Sequence, residues 1–398
     1  MQVSFIITTF NVRPYIYQCL DSLCAVVAPG DQVIIVDDGS TDGTVEDIRQ
    51  ILASLPWPEN IEHCPVFLGR NTHGGVGIAA NIGLGRASRE AVFFVDGDDW
   101  LLAEGVRRAR QRFAAGSDDI LLVNYLVFDE VTQSTTEPSD QMVWDDLPPD
   151  PDAAAARSLA LRMNAVPWRK FYRRAFLQQH AIRFPEGDFF FEDNPLHWQI
   201  CLSTQRIGFY DVPLACHRLN RPGQTMSAAG ADLTAMFQHY ETILGHVAQL
   251  DPDSRPQADQ WLATNMAWQL ERLTPDAVFV YAAAAETALC GARRRRWVRD
   301  SLPPLVGREI GFYLTALMDG GAQALTQAWL QMFTARQMRQ AQEQLAGVHL
   351  QLEHVVVRQD QIEQMTAQAR DMALGSWNQM EFTAAGNPGQ KGGSCGDG

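Results

Sequence analysis

Asp96, Asp98 and Asp99 lie within four consecutive positions, directly after the apolar run 92–95 in the segment VFFVDGDDW. Carboxylates this close repel one another unless a cation lies between them. Gly97 permits a tight turn, and hard divalent cations combine one or two carboxylates with substrate phosphates. The segment therefore predicts Mg²⁺ or Mn²⁺ held by Asp96 and Asp98 and shared with a diphosphate. A solvated acidic turn that caps the next helix is the alternative.

A second acidic cluster follows an earlier apolar run, in VIIVDDGSTDGT at residues 33–44. A calcium loop is excluded because Arg49 stands where such a loop needs its final glutamate. A carboxylate at Asp38 could instead accept a hydrogen bond from a nucleobase N–H.

Two later segments carry further ionisable groups. In FFFEDNPLHW, residues 189–198, aromatic side chains flank Glu192 and Asp193. A carboxylate desolvated in this way can act as a general base, whereas an acidic pair at a helix N-terminus is the simpler alternative. In CHRLNRPG, residues 216–223, His217, Arg218 and Arg221 could neutralise phosphates, or the arginines could be ordinary surface residues.

Two other enzyme classes share parts of this pattern. The segment HGGVGIAANIG, residues 73–83, resembles a dinucleotide-binding fingerprint, but its glycines do not directly follow a strand. An Asp-x-Asp phosphatase would carry its pair after the first strand, whereas here the pair follows the fourth. A dehydrogenase and a phosphatase are therefore minor alternatives.

The composition excludes several classes. The chain has 398 residues, 46% of them hydrophobic, and a formal net charge of −15, which argues against a nucleic-acid partner. Its seven cysteines form no CxxC pair, which is typical of buried thiols. We expect neither a signal peptide nor a spanning helix, and a cytoplasmic protein that could rest on the inner face of the cell membrane through the basic run Arg293–Arg296. A solvated helix face is the alternative for that run.

The elements that must position these residues alternate along the chain. Apolar, β-branched runs predict strands at 2–9, 32–37, 61–68, 91–95 and 119–127, and helical spacing predicts helices at 13–27, 41–54, 75–88 and 101–115. This alternation indicates an α/β, Rossmann-like fold with a mostly parallel sheet and flanking helices, in which ligands bind beyond the carboxyl ends of strands. Residues 129–155 are predicted to be a loop, and helices dominate after residue 225.

A heptad stripe begins near residue 338. Its apolar members recur at alternating steps of three and four with one polar exception: Met338, Ala341, Leu345, Val348, Leu352, Val355, Gln359 and Ile362. This period predicts a coiled coil and a homo-oligomer, with a helix docked on its own chain as the alternative. The Gly-rich end of the chain is predicted to be disordered.

Five segments in order resemble the family 2 glycosyltransferases with the GT-A fold: SFIITTFNVRPYI, VIIVDDGSTDGT, GGVGIAANIGLGRAS, VFFVDGDDW and FFFEDN. The segment PWRKFYRRAFLQQHAIRFPEG, residues 167–187, resembles the bacterial polysaccharide members. The resemblance is strong over 1–115, weaker to about 227, and absent beyond. We accordingly predict a GT-A domain at 1–225, a helical region at 226–325, a coiled coil at 326–375 and a disordered tail at 376–398.

The resemblance also implies roles for individual residues. Thr8, Phe10 and Asn11 would line the nucleotide pocket, and Asp38 would face the base. Asp96 and Asp98 would form the DxD pair at the ribose and metal–diphosphate, with Asp99 beside them. Asp193, next to Glu192, would be the catalytic base, and a loop with His217 and Arg221 would close over the diphosphate. Two positions depart from the family pattern, because Ala80 replaces a frequent Arg and Phe10 replaces a Tyr.

The sequence thus predicts an inverting, metal-dependent transferase that moves a sugar from a nucleotide diphosphate sugar, such as a UDP-sugar, to a glycan or lipid-linked acceptor in surface polysaccharide synthesis. The rival hypothesis is a non-catalytic scaffold that binds a nucleotide sugar and assembles through its coiled coil.

Overall fold

The computed structural model describes residues 1–72, 76–187, 190–222, 230–289, 291, 296–297, 299–302 and 306–385, with side chains as far as residue 377. Two compact units divide the chain, Met1–Trp329 and Leu330–Gly398. Most of the predicted basic run Arg293–Arg296 and most of the predicted tail lie outside the described residues. No helix in the described ranges is long and apolar enough to cross a membrane.

The first half of the chain alternates strands with helices, as predicted. The strands are β1 (Val3–Thr9), β2 (Gln32–Asp37), β3 (Glu62–Phe67), β4 (Ala91–Asp96) and the very short β5 (Trp100–Leu101). The helices between and after them are α1 (Arg13–Cys24), α2 (Thr44–Ser54), α3 (Gly77–Arg86) and α4 (Ala103–Ala115). Every residue of β1 and β2 is buried, because helices cover both faces of this part of the sheet.

The following strands make the sheet mixed rather than mostly parallel. They are β6 (Ile120–Asp129), β7 (Ser134–Thr136), β8 (Lys170–Arg173) and β9 (Ile207–Leu219). The order is β3-β2-β1-β4-β8-β6-β9-β5, with β7 beside β6. Strands β3, β2, β1 and β4 pair in parallel, but β8 is antiparallel to both β4 and β6. The prediction of a mostly parallel sheet therefore holds only for the first half.

The predicted loop at 129–155 contains short elements. Besides β7 these are α5 (Gln141–Asp145) and the start of α6 (Ala153–Ala160). Helix α6 begins at 153 because the Asp152 carboxylate accepts a hydrogen bond from the Ala155 N–H at 2.8 Å. Helices α7 (Arg174–Gln179) and α8 (Asp193–Ser203) complete this region.

Aromatic packing joins β1, β4 and β8 in the core. Phe93 on β4 is fully buried, with its ring centroid 5.8 Å from that of Phe5 and 4.7 Å from that of Phe171. Such pairs stabilise a core beyond the area that they bury.

Helices dominate after residue 225, as predicted. They are α9 (Ala235–Leu250), α10 (Arg255–Arg272), α11 (Val278–Leu289) and α12 (Arg308–Ala385). Helix α12 is interrupted at Gly320 and Gly321, and Gly321 has a φ of 65°. The indole N–H of Trp329 donates to the carbonyl of Leu270 at 2.7 Å, which fastens the first part of α12 to α10.

Candidate active site

Parallel pairing brings the first two acidic segments to one edge of the sheet. Thr8 lies beside Asp96, and Thr9 lies beside Asp37, because β1 pairs with β4 on one side and β2 on the other. The carbonyl of Thr8 accepts a hydrogen bond from the Gly97 N–H at 3.0 Å. A Cβ at residue 97 would lie 2.7 Å from the Thr9 methyl carbon, so this close approach requires glycine.

The β2 carboxylates hold the loops that surround the predicted nucleotide pocket. Asp37 accepts hydrogen bonds from the N–H groups of Gly39 and Ser40 and from the Thr9 hydroxyl, at 2.9 to 3.1 Å. Asp38 accepts from the N–H and the hydroxyl of Thr72, both at 3.0 Å. Asp37 thus has a structural role, while Asp38 holds the segment that precedes α3.

Phe10 and Asn11 lie where β1 ends. Asn11 has a φ of 50°, its N–H donates to the Ser40 hydroxyl at 2.8 Å, and its side-chain oxygen accepts from the Thr41 N–H at 2.8 Å. These bonds tie the β1 loop to the β2 loop. The ring of Phe10 is 43% exposed, which leaves a flat apolar surface beside that junction.

Arginine and histidine side chains face the acidic cluster at the end of β4. The Asp98 carboxylate accepts from the guanidinium of Arg221, and Asp99 accepts from the His217 imidazole at 2.8 Å. Asp99 also accepts from the Arg218 N–H at 2.8 Å. The alternative of an acidic helix cap is not observed, because the residue before α4 is Leu102 and carries no side-chain cap.

Asp96 differs from its neighbours, because its carboxylate accepts no hydrogen bond from the described residues. Burial, followed by the negative charges of Asp99 and Asp98, raises the pKa of Asp96 well above its ordinary value, and Asp193 adds to this effect. Burial also raises the pKa of Asp99. A cation would relieve this repulsion.

The carboxylates around His217 favour its protonated form. Burial alone would lower its pKa, but Asp99, Asp96 and Asp98 together raise it to about 9. The imidazole stacks on the indole of Trp168, with centroids 4.9 Å apart and planes 26° apart. The chain therefore supplies two cations to the cluster itself, His217 and Arg221.

Glu192 and Asp193 have different surroundings. Glu192 accepts from the Val76 N–H at 2.7 Å, so its carboxylate occupies the N-terminus of α3. Burial, then the charge of Asp193, raises the pKa of Glu192 to about 7. Asp193 is the first residue of α8; burial raises its pKa, and Lys170 opposes that rise. A dinucleotide phosphate at the start of α3 would compete with Glu192.

Two residues near the site were not predicted, Trp168 and Lys170. Arg218 was predicted to face phosphates or solvent, but it is buried. Lys170 donates to the carbonyls of Ala165 and Val166, at 2.8 and 2.7 Å, and burial lowers its pKa to about 7. Arg218 donates to the Asp98 carbonyl at 2.9 Å and to the Gln18 side chain at 2.6 Å. A signal existed for Lys170, because the chain contains only two lysines, Lys170 and Lys391.

The residues present fit a divalent cation in part. In the described ranges, no group of three or more His, Cys, Asp and Glu side chains is arranged to hold a metal ion. Two carboxylates, Asp96 and Asp98, nevertheless suit an ion such as Mg²⁺, which takes the rest of its shell from water and substrate phosphates.

Comparison with known proteins agrees with this geometry. Residues 4–187 match the model of glycosyl transferase family 2. The first half of the chain is thus similar to the family 2 glycosyltransferases.

Its relatives extend the match beyond that segment. The chain is 26% identical to EpsH of Bacillus subtilis (strain 168) over 220 residues, 55% of this chain and 61% of EpsH. It is 26% identical to the poly(ribitol-phosphate) beta-N-acetylglucosaminyltransferase TarS of Staphylococcus aureus (strain Mu50) over 265 residues, 66% of this chain and 43% of TarS. The chain thus spans less than two thirds of the length of these relatives.

The fold resembles that of a solved relative. Residues 1–349 of S. aureus TarS, crystallised with UDP-GlcNAc, superpose with a TM-score of 0.63 at 21% identity, covering 84% of this chain and 92% of that one. The mixed sheet with flanking helices confirms the predicted GT-A fold.

Proposed function

We propose that this chain is a family 2 glycosyltransferase that transfers a sugar, with inversion, from a nucleotide diphosphate sugar to a glycan or lipid-linked acceptor in surface polysaccharide synthesis. One observation carries the proposal. Asp96, Asp98 and Asp99 lie at the carboxyl edge of the sheet with two cations of the chain against them, and Asp193 lies close enough to raise the pKa of Asp96.

The donor would occupy the loops after β1, β2 and β4. Phe10 offers an exposed ring for a base, Thr8 and Asn11 line the same edge, and Asp38 can accept a hydrogen bond from the base. Asp96 and Asp98 would hold Mg²⁺ or Mn²⁺, which when bound supplies positive charge for the diphosphate leaving group. His217 and Arg221 supply further positive charge from the chain.

The acceptor hydroxyl would be deprotonated by Asp193. Burial raises the pKa of this carboxyl towards the range in which a general base works efficiently at neutral pH. Lys170 keeps it from rising further, which preserves the ionised form. Direct attack by the activated hydroxyl on the face opposite the diphosphate inverts the anomeric centre. Glu192 would support this step by fixing the start of α3 beside Asp193.

We propose a UDP-sugar as donor, with UDP-GlcNAc as the first to test. The supporting facts are that the similar TarS domain was crystallised with UDP-GlcNAc and that TarS is named as an N-acetylglucosaminyltransferase. The same proposal places the reaction in the cytoplasm, at the inner face of the membrane where lipid-linked acceptors are found.

The test separates donor binding from turnover. UDP binding with Mn²⁺ is measured by calorimetry, and transfer and UDP-GlcNAc hydrolysis by mass spectrometry, for Asp98→Ala, Asp193→Asn and the control Asp253→Asn, an exposed residue before α10. Asp98→Ala should weaken UDP binding, whereas Asp193→Asn should bind UDP normally and lose turnover. Full activity in both variants would refute the assignment. Tight binding without any turnover by the unmodified chain would instead favour the non-catalytic scaffold.

A further inference from the structure

An apolar stripe on α12 is exposed along the second unit of the chain. Its largest members each have more than half of their surface accessible: Met338 62%, Leu345 68%, Val348 52%, Leu352 57%, Val355 58% and Ile362 63%. An exposed stripe of this length is typical of a binding surface. Its period identifies the partner, because a 3.5-residue repeat matches only another helix with the same repeat.

The heptad positions follow from the steps along the stripe. Met338, Leu345, Leu352 and Gln359 occupy position a, and Ala341, Val348, Val355 and Ile362 occupy position d. Gln359 is the one polar side chain among these, and a buried amide without a partner is costly. Whether the Gln359 amide has a hydrogen-bond partner depends on whether the helices are parallel or antiparallel.

Parallel, in-register copies satisfy Gln359 and antiparallel copies do not. In a parallel bundle each Gln359 faces Gln359 of its neighbours, where the amides can hydrogen-bond to one another. In an antiparallel pair over the same stripe, Gln359 would face Ala341, which offers no side-chain partner. Charge agrees with the parallel arrangement, because Arg358 at position g then lies beside Glu363 at position e of the next copy.

The side-chain shapes at a and d indicate the number of helices. Leucine stands at a in residues 345 and 352, and β-branched side chains stand at d in Val348, Val355 and Ile362. Two-stranded coils prefer the reverse, with β-branched residues at a and leucine at d, whereas leucine at a with isoleucine at d shifts the preference to three or four strands. Val356 at position e is also 58% exposed and widens the apolar face.

We propose that residues 338–362 of α12 join more than two copies of this chain in a parallel, in-register bundle. This inference does not depend on the proposed transferase activity.

The first experiment measures the mass of the full chain by light scattering at micromolar concentration. The chain has a mass of 44.3 kDa, and we expect an assembly of about three or four copies. Val348→Asp with Val355→Asp should reduce the mass to that of one chain, while Leu350→Asp with Val357→Asp, exposed positions off the stripe, should leave it unchanged. A monomer or a dimer of the unmodified chain would overturn the proposal.

A second variant tests the a and d argument directly. Exchanging the side-chain shapes with Leu345→Val, Val348→Leu, Leu352→Val, Val355→Leu and Ile362→Leu keeps the stripe apolar but gives it the pattern of a two-stranded coil. The mass should fall to two copies. An unchanged mass would show that these side chains do not set the number of helices.

Cross-linking tests orientation and register. Gln359→Cys should form an interchain disulfide on mild oxidation, because in a parallel bundle the same residue faces its copies. The matched control is Gln364→Cys at the outward position f, which should not cross-link, and the unmodified chain corrects for the native cysteines. Equal cross-linking of the two variants would rule out the parallel, in-register arrangement.

Discussion

The positive charge of His217 can be reduced by substituting its partner Asp99 and leaving the histidine itself unchanged. Asp99→Asn keeps the shape of its partner but deletes the negative charge that contributes most to the raised pKa of His217. Burial, which lowers this pKa, then opposes only the weaker effects of Asp96 and Asp98. We expect the pKa of His217 in the variant to fall clearly below about 9.

The size of the effect follows from the pKa. A rise from the ordinary value of 6.5 to about 9 favours the protonated imidazole by about 3 kcal/mol, at 1.36 kcal/mol per pKa unit. Because the pKa is raised in the folded state, this contribution to stability is complete below pH 6.5 and is lost as the pH rises through about 9. The variant should show much less of this loss.

Selective ¹³C-histidine NMR of the full chain measures the titration, with His217→Gln to assign its signal and Asp253→Asn as control. In the unmodified chain the signal should change near pH 9, and in Asp99→Asn at a clearly lower pH. UDP binding followed over the same range should weaken as His217 loses its proton. A His217 signal that still changes near pH 9 in Asp99→Asn would refute the electrostatic reasoning, whatever the protein binds.

Three further predictions concern Glu192, Lys170 and the segment before α8. Burial raises the pKa of Glu192 to about 7, so ionisation of this carboxyl destabilises the fold as the pH rises from about 4.5 to 7. Glu192→Gln should therefore flatten the decline of Tm between pH 5 and 8. An unchanged slope would contradict this. Lys170 lowers the pKa of Asp193, so Lys170→Met should move the acidic limb of the pH profile of kcat/KM to higher pH. Lys170→Arg should restore the position of this limb in part. Identical acidic limbs in the unmodified chain and both variants would exclude the coupling between Lys170 and Asp193. The segment before α8 is held in place by two contacts: the ring centroid of Phe191, a residue with a φ of 68°, lies 5.9 Å from that of Trp268, and the His239 imidazole hydrogen-bonds to the Phe190 carbonyl at 2.6 Å. Because this segment positions Asp193, Trp268→Ala should lower kcat more than UDP affinity. The exposed Phe279→Ala is the control.

The parallel half of the fold was predictable because β1, β2 and β4 are buried along nearly their whole length and contain apolar runs. Four of the predicted strands agree with β1 to β4 to within a residue or two, and the helices between them agree to within a few. Four strands were not predicted: β5, β7, β8 and β9. The first three have only two, three and four residues. Strand β9 has 13 residues, but Asp211 and Pro213 interrupt its apolar pattern. The antiparallel insertion of β8 between β4 and β6 is a long-range pairing that no local pattern encodes.

Within the site, the sequence indicated residues whose chemistry is local. Asp96 ends β4, Asp98 lies two residues further on, and Asp193 begins α8, so residue type and position along the chain were enough to single them out as candidates. The partners were harder to predict, because they come from distant segments. Trp168 contacts His217, and Arg221 contacts Asp98, only after β8 and β9 have joined the sheet. The roles of the predicted residues in catalysis stay predictions until the variants are assayed.

Because the chain contains only two lysines, acylation of the buried Lys170 can be followed as a signal from the core. Within the described ranges Lys170 carries the only side-chain amine, and it is 1% exposed with both carbonyl partners in place. An acylating reagent can modify it only when the chain around Pro167 opens. Opening also removes the burial that lowers the pKa of the amine, so the exposed amine reacts as an ordinary lysine does. The rate at which Lys170 is acylated would therefore report how often the segment that holds its amine opens.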